Sequence, residues 1–581
     1  MSTEIQALSG HDAAGQRLFD PIGMEVFSNR LLTITEEMGN NLIRSSFSSN
    51  IKERKDCSVG LFDYRGRLIA QASHIPLHLG SLSGGVNALL EAVALDAMQP
   101  GDAFISNDPY LAGGTHMPDI TLIEPVFWDG KVQFFAANIA HHSDVGGSVP
   151  GSISGGARSV FEEGLRIPVM RIVQAGELDE SLLAMIAHNS REPEERTLDI
   201  KVQIAVNQRG GLAMRQLIGQ MGLDKVHGAI DDLILYTRRR LLNRVRALKP
   251  GSHSFATFLD DDGLGDGGRV KLHVTVKVDG ETIRFDFSNS GKQARGAMNI
   301  PLSALQATVY YCVKALLDPD LMPNSGAFDA VQIETQPGTI VSPRFPAPVG
   351  ARSITCQKVA GAIFGAFRGL LPPERVYASA NDVLPAMVFS GALTRASGTY
   401  VYLETLGGGA GAGYEIDGMD GIQVHVSNTA NLPIEALENE YPLLVDEYTF
   451  IADSGGAGKW RGGMGLARQI RALQDGTIFS ARSDGHVNVA QGVFGGADGR
   501  PGRLILNPGR ETEASLPSKI SHLVLKKGDS VRIETPGGAG YGRPSDRATA
   551  LLARDIREGK VSREVAQAEY GPMLWGDDKD W

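Results

Sequence analysis

Two long apolar runs meet at Asp129-Gly130, and that dipeptide constrains the chain more than any other feature. Asp119 to Phe127 and Val132 to His141 are mostly apolar, and the first run is β-branched. An Asp-Gly pair between such runs favours a two-residue type I′ turn, whose two central residues take positive φ. The spacing therefore predicts a β-hairpin. With Trp128 opposite Lys131, strict pairing sets Asp119 opposite Ala140 and Pro118 opposite His141. The open end of the hairpin then gathers His116 and Asp119 from HMPD, and His141, His142 and Asp144 from HHSD. Neutral imidazole and carboxylate together suit divalent Zn, Mn or Fe. A single histidine there would more simply hydrogen-bond loop backbone. Five polar groups converging on one strand end point to a divalent-metal site in a cleft. Strict alternation puts Asp119 on the face of Ala140 and, diagonally, His142. His141 faces the other way unless a bulge intervenes, so geometry alone leaves the choice between the two histidines open.

At 581 residues the chain exceeds one ordinary core, and roughly two to four domains are expected. Its 70 glycines fall in non-periodic clusters, which reads as many tight turns. A net charge of -11 argues against a general nucleic-acid binder. No apolar stretch approaches the roughly 18 residues that span a bilayer. The N-terminus lacks the basic-then-apolar pattern of a secretory signal. Cys57, Cys312 and Cys356 are scattered, with no CxxC pair. A reducing cytoplasm is therefore expected.

The organisation reads as α+β and multidomain. A flexible arm (1–19) precedes a metal-binding α/β domain (20–250) that carries the hairpin. A mixed α/β domain (251–398), a β-rich domain of glycine turns (399–545) and a C-terminal helix and tail (546–581) follow. Asp20-Pro21 opens a helix whose Phe27, Leu31, Ile34, Met38 and Leu42 form one apolar stripe. Val59–Phe62 and Leu68–Gln71 read as short strands, and the charges from Lys52 to Asp56 before them as a solvated cluster. His74 and His78 read as bonded to loop backbone. Gly146 to Gly156 is long enough to be a lid or a connector. Asp279-Gly280 marks a second hairpin turn. Helices are expected over His227–Leu248, Pro301–Leu317 and Gln357–Leu370. The clusters GGGAGAG (407–413) and GGAGKW (455–460) lack GxxxxGK[ST] spacing, and GGGAGAG leads into no helix. They read as turns, not phosphate cradles.

NIKERKDCS, HIPLHLGS, NDPYLAGGTHMPD, AHHSDVGG, DSGGAGKWRGG and PGGAGYG occur in that order. Together they resemble the hydantoinase B/oxoprolinase family over roughly residues 20 to 545. The resemblance implies a division of labour in a hetero-oligomer, expected as α2β2. ATP is handled by a partner A-type subunit, which phosphorylates an amide or enolate oxygen. The B-type chain completes the reaction at a divalent metal by hydrolysing a cyclic amide: a hydantoin, 5-oxoproline, caprolactam or another lactam. The resemblance implies His116, Asp119 and His141 as ligands and Glu53 as a fourth. The strict register favours His142 instead. His142 or Asp144 is the expected general base. Arg191, Arg196 or Lys52 would hold an anion, with ordinary ion pairing as the alternative. The carboxylating subunit of an acetone- or acetophenone-type carboxylase, and a non-catalytic scaffold for the ATPase subunit, are the rival readings.

Overall fold

The computed structural model describes residues 20–72, 74–393 and 398–571. The expected arm (1–19) and the end of the expected tail (572–581) lie outside the described residues. The architecture is α+β, with four sheets.

Helix α1 (Pro21–Ser45) begins where Asp20-Pro21 predicts. The Asp20 carboxylate accepts from the Gly23 N–H at 2.5 Å, and Pro21 occupies a position where an N–H has no helical partner. The predicted stripe is buried at Phe27, Leu31, Met38 and Leu42. It packs on β1 (Cys57–Asp63) and β2 (Leu68–Gln71). After α2 (His78–Ala92) come β3 (Ala103–Ser106), β4 (Asp119–Trp128), β5 (Lys131–His141), β6 (Met170–Gln174) and β7 (Glu177–Leu178). These strands form an antiparallel sheet of order β2-β1-β5-β4-β3-β6-β7. The hairpin is thus the centre of the sheet. Helix α2 covers one face of it; α1, α3 (Pro193–Met221) and α4 (Leu223–Arg246) cover the other. Burial on both faces explains why β4 and β5 read as near-continuous apolar runs.

The second sheet is β11-β10-β9-β8, built from β8 (Gly251–Leu259), β9 (Val270–Val278), β10 (Ile283–Asp286) and β11 (Val331–Glu334). Here the expected two-residue turn is replaced by a longer one. Val278 pairs with Ile283, and Asp279 Oδ1 accepts from the N–H groups of Glu281 and Thr282 at 2.9 and 2.7 Å. The aspartate side chain organises the loop that the backbone would otherwise have to close. Helices α5 (Leu302–Leu317) and α6 (Arg352–Phe367) share this core.

Two further sheets close the C-terminal region. One has the order β13-β12-β16-β19, from β12 (Ala386–Ala392), β13 (Thr399–Thr405), β16 (Thr477–Arg482) and β19 (Lys519–Leu525). The other is β14-β15-β20-β17-β18, from β14 (Leu443–Phe450), β15 (Leu466–Ala472), β17 (Arg503–Leu506), β18 (Ala514–Leu516) and β20 (Ser530–Glu534). Phe389, Tyr402, Ile470, Phe479 and Val531 form their shared core. The glycine clusters around them interlock backbone against backbone. A Cβ on Gly409 would stand 2.0 Å from the Gly463 carbonyl oxygen, and one on Gly538 would stand 1.9 Å from that of Ala410.

The Gly146–Gly156 segment is a connector. Ile153 packs against Val388, Val401 and Leu403, which ties the N-terminal sheet to β12 and β13. Among the described residues no helix is long and apolar enough to cross a membrane.

Candidate metal centre

The turn of the central hairpin forms as the sequence predicts, with φ of 48° at Asp129 and 74° at Gly130. Phe127 pairs with Val132, but the next pair is Val126 with Phe134. Gln133 is an extra residue on β5, a β-bulge. A one-residue slip exchanges the faces of every residue beyond it. Asp119 therefore pairs with His141, not Ala140, and the two side chains share a face. The bulge overturns the strict register that favoured His142.

His116, in the loop just before β4, joins this pair. His116 Nε2 lies 3.0 Å from Asp119 Oδ1 and 3.1 Å from His141 Nδ1, and His141 Nδ1 lies 3.2 Å from Asp119 Oδ1. All three residues are buried. Such spacing suits ligands about 2.0–2.2 Å from one shared ion. The second Asp119 oxygen is held elsewhere: Oδ2 accepts from Thr115 Oγ1 and, at 2.7 Å, from Arg352. That leaves Oδ1 toward the imidazoles. Buried His141 Nε2 has no hydrogen-bond partner among the described residues.

Electrostatics favour the ligand forms. Burial, with Arg352 nearby, holds His116 well below the usual histidine range, so it is neutral at pH 7. Burial works to raise Asp119, but His116 and Arg352 outweigh it and keep the carboxylate ionised. Two tautomers of His116 are available. With the proton on Nδ1 it donates to the Gly350 carbonyl at 3.2 Å, and the Nε2 lone pair faces Asp119 and His141. With Arg352 donating to a bare Nδ1 at 3.1 Å, the proton sits on Nε2. A cation at the group selects the first. Glu163 supports it from behind, accepting from Val349 N and Gly350 N at 3.0 and 2.7 Å. Burial pushes the Glu163 carboxyl up to about 8.

His116 and His141 border a cavity of about 50 Å³. Arg54, Asp56, His78, Arg352 and Arg482 complete its polar wall, and Ile75, Leu77, Ile153, Leu403 and Val426 make an apolar one.

The hydantoinase B/oxoprolinase family model matches residues 20–544. The chain belongs to the hydantoinase B/oxoprolinase family. It is 32% identical to the B-type subunit of a putative D-/L-hydantoinase from Pseudomonas sp. (strain NS671), covering 96% of this chain and 95% of that one. It is 33% identical to the 5-oxoprolinase of Dictyostelium discoideum, over 91% of this chain but 41% of that protein. The ATP-dependent caprolactamase of Pseudomonas jessenii superposes with a TM-score of 0.88 at 27% identity, over 96% of this chain and 97% of that one. An acetone carboxylase shares the fold, with a TM-score of 0.86 at 18% identity, over 97% of this chain and 84% of that one.

Other residues of the hydantoinase B motifs sit differently from expectation. Glu53 is not brought to the group. It is partly exposed and lies 4.0 Å from exposed Lys52. Lys55, at a φ of 57°, turns the chain so that Asp56 faces the cavity instead. Asp56 Oδ2 lies 4.0 Å from His141 Nδ1, and the Asp56 carbonyl accepts from the His141 N–H at 2.9 Å. Arg54 is buried and donates to Asn50 Oδ1 and Thr405 Oγ1. The supposed solvated charge cluster is therefore half interior. His78 bonds Ser58 Oγ at 3.1 Å rather than loop backbone, and its Nε2 stands 3.9 Å from Asp119 Oδ1. The half-buried His74 ring lies on Gly39, where a Cβ would meet it at 2.1 Å.

His142 and Asp144 do not line the cavity. Burial and Arg196 keep His142 neutral; Arg196 donates to its Nδ1, and Nε2 donates to Gln203 Oε1 at 2.9 Å. Asp144 accepts from Arg191 at 2.8 Å and from the N–H groups of Gly146 and Gly151. Arg191 and Arg196 thus hold the HHSD segment in place.

Asp56, Glu163, Arg352 and Arg482 were not legible as site residues. Asp56 depends on the pairing of β1 with β5, and the two arginines come from α6 and β16. No local spacing signals either.

Proposed function

We propose that this chain is the metal-containing B-type subunit of an ATP-dependent cyclic-amide hydrolase. It opens the ring of a lactam, hydantoin or 5-oxoproline that a partner A-type subunit has phosphorylated. The observation that carries this reading is the His116–Asp119–His141 group, which borders a cavity with an apolar wall. It is supported by likeness to the ATP-dependent caprolactamase, and by likeness to the B-type subunit of a putative hydantoinase.

An amide is a poor electrophile. Phosphorylating its carbonyl oxygen creates an imidate-like carbon that water can attack; the ring C–N bond then breaks as the nitrogen takes a proton, and a second water releases phosphate from the resulting acyl phosphate to leave the carboxylate. A divalent cation at the group would act as a Lewis acid and lower the pKa of water there. The chain's own residues position and deprotonate. Arg352 and Thr115 fix Asp119 Oδ2, and Gly350 fixes the His116 ring. His78 is kept neutral by burial, and its Nδ1 is engaged by Ser58. That leaves Nε2, 3.8 Å from Asp56 Oδ1, to receive the water's proton. The apolar wall accommodates the methylenes of the ring. The assembly works in the cytoplasm, where ATP is available and free thiols such as buried Cys57, Cys312 and Cys356 persist.

The test is reconstitution. The chain, an A-type subunit, ATP and Zn, Mn or Fe are assayed for ring-opened product with each cyclic amide. ATP-dependent ring opening that His116→Ala abolishes supports the reading. Bicarbonate incorporation into a ketone, with no ring opening, would replace it with the carboxylating one. Turnover untouched by His116→Ala, in protein without stoichiometric metal, would leave only a scaffold.

A further inference from the structure

Arg482, the last residue of β16, is a buried guanidinium with no carboxylate partner among the described residues. It is 5% exposed and lines the cavity beside His116 and His141. Among the described residues its guanidinium makes one hydrogen bond, a long one of 3.4 Å to the Gly350 carbonyl. Arg54, Arg196, Arg352, Arg461, Arg468 and Arg547 are also buried, and each has a carboxylate oxygen within 4.0 Å. A buried cation without a partner is costly unless something else compensates it. Glu163 forms no ion pair with it within that reach; it acts on Arg482 only through space and is engaged by backbone N–H groups. Lys519, paired with Arg482 across the strands, already has Asp261 and Asp484.

The local charge count points the same way. Arg54, Arg352 and Arg482 stand against Asp56 and Asp119, and Glu163, which burial pushes up to about 8, is mostly protonated at pH 7; this leaves an excess of one positive charge before any metal is counted. Burial and the neighbouring Arg352 push Arg482 down to about 9. A cavity of about 50 Å³ holds several waters, hence a group of a few non-hydrogen atoms.

We propose that Arg482 is the anion-binding residue of this site, its guanidinium holding the phosphoryl group of the activated substrate beside His116 and His141. The free N–H groups of a guanidinium match phosphoryl oxygens in a planar fork. Calling the anion a phosphoryl group rests on the function proposed above; the anion site itself does not.

Inorganic phosphate is titrated calorimetrically into the metal-loaded chain, with acetate in parallel. The wild type is expected to bind phosphate, and Arg482→Met to bind it at least tenfold more weakly. Arg482→Lys should recover part of the affinity, and Arg503→Met, at an exposed position, should change nothing. Metal content and melting temperature certify that each variant is folded. Equal phosphate affinity in wild type and Arg482→Met, or binding of acetate but not phosphate, overturns the proposal. If phosphate binding needs Arg482 but the reconstituted complex opens no cyclic amide, the anion site stands and the hydrolase reading falls. If the complex is active and Arg482→Met alters neither kcat nor KM, the converse holds.

Discussion

The two faces of the β4–β5 hairpin both carry buried histidine and polar side chains, and they are wired in opposite ways. On the α3 face the network is complete. Arg196 donates to His142, which donates to Gln203; Gln203 donates to Asn138 and to the Ile120 carbonyl. Asn138 donates to Asn207, which donates to the Leu122 carbonyl. Every donor in that chain meets an acceptor. On the cavity face, His116 Nε2, His141 Nδ1 and Asp119 Oδ1 crowd one point, and His141 Nε2 has no partner among the described residues. A polar cluster that satisfies itself holds a fold together; one that leaves lone pairs converging on a cavity is built for a ligand. Adjacent residues, His141 and His142, fall on the two sides of that distinction.

The largest expected effect comes from the cavity face. His116→Ala should cut ring-opening turnover by more than the roughly 10–100-fold that outer-shell changes around a metal cost. Its loss of stability should be no larger than that of His142→Ala. Steady-state kinetics beside a urea melt measures both. A large stability loss with activity retained would erase the contrast between the faces.

The next effect belongs to the α3 face and depends on pH. Burial pushes Glu124 on β4 up to about 7, with Arg215 opposing, and its Oε2 has no hydrogen-bond partner among the described residues. Its folded pKa lies above its unfolded one, so between about 4.5 and 7 the native state binds the extra proton. Stability from this residue therefore falls as pH rises through that window, by at most about 3 kcal/mol. Glu124→Gln should flatten that slope in chemical denaturation at pH 5 and pH 8, with bound metal unchanged. An unaltered slope would place the titration elsewhere.

His142→Ala is expected to cost about 1–3 kcal/mol, because it leaves donors of Arg196 and the Gln203 carbonyl oxygen without their buried partner. The variant should keep its metal and its pH–rate profile. A changed profile would mean that His142 reaches the reaction after all.

The sequence carried the hairpin, its turn and α1 clearly, because apolar runs, Asp129-Gly130 and Asp20-Pro21 are local signals. It carried His116, Asp119, His141, His142 and Asp144 as one cluster for the same reason, and only the family resemblance singled out His141. What it concealed was non-local or one residue wide. The Gln133 bulge has no distinctive residue, yet it decides which histidine joins Asp119. The left-handed Lys55 turns Asp56 inward while Glu53 stays outside, and charge composition gives no hint of that. Arg352 reaches Asp119 from 233 positions away along the chain. That contact exists only once the second core has packed.

The most direct test of the central claim is metal content by elemental analysis of the purified wild type, His141→Ala and His142→Ala. About one divalent ion per chain is expected in the wild type and in His142→Ala, with loss of the ion in His141→Ala. An ion retained by His141→Ala and lost by His142→Ala would contradict it.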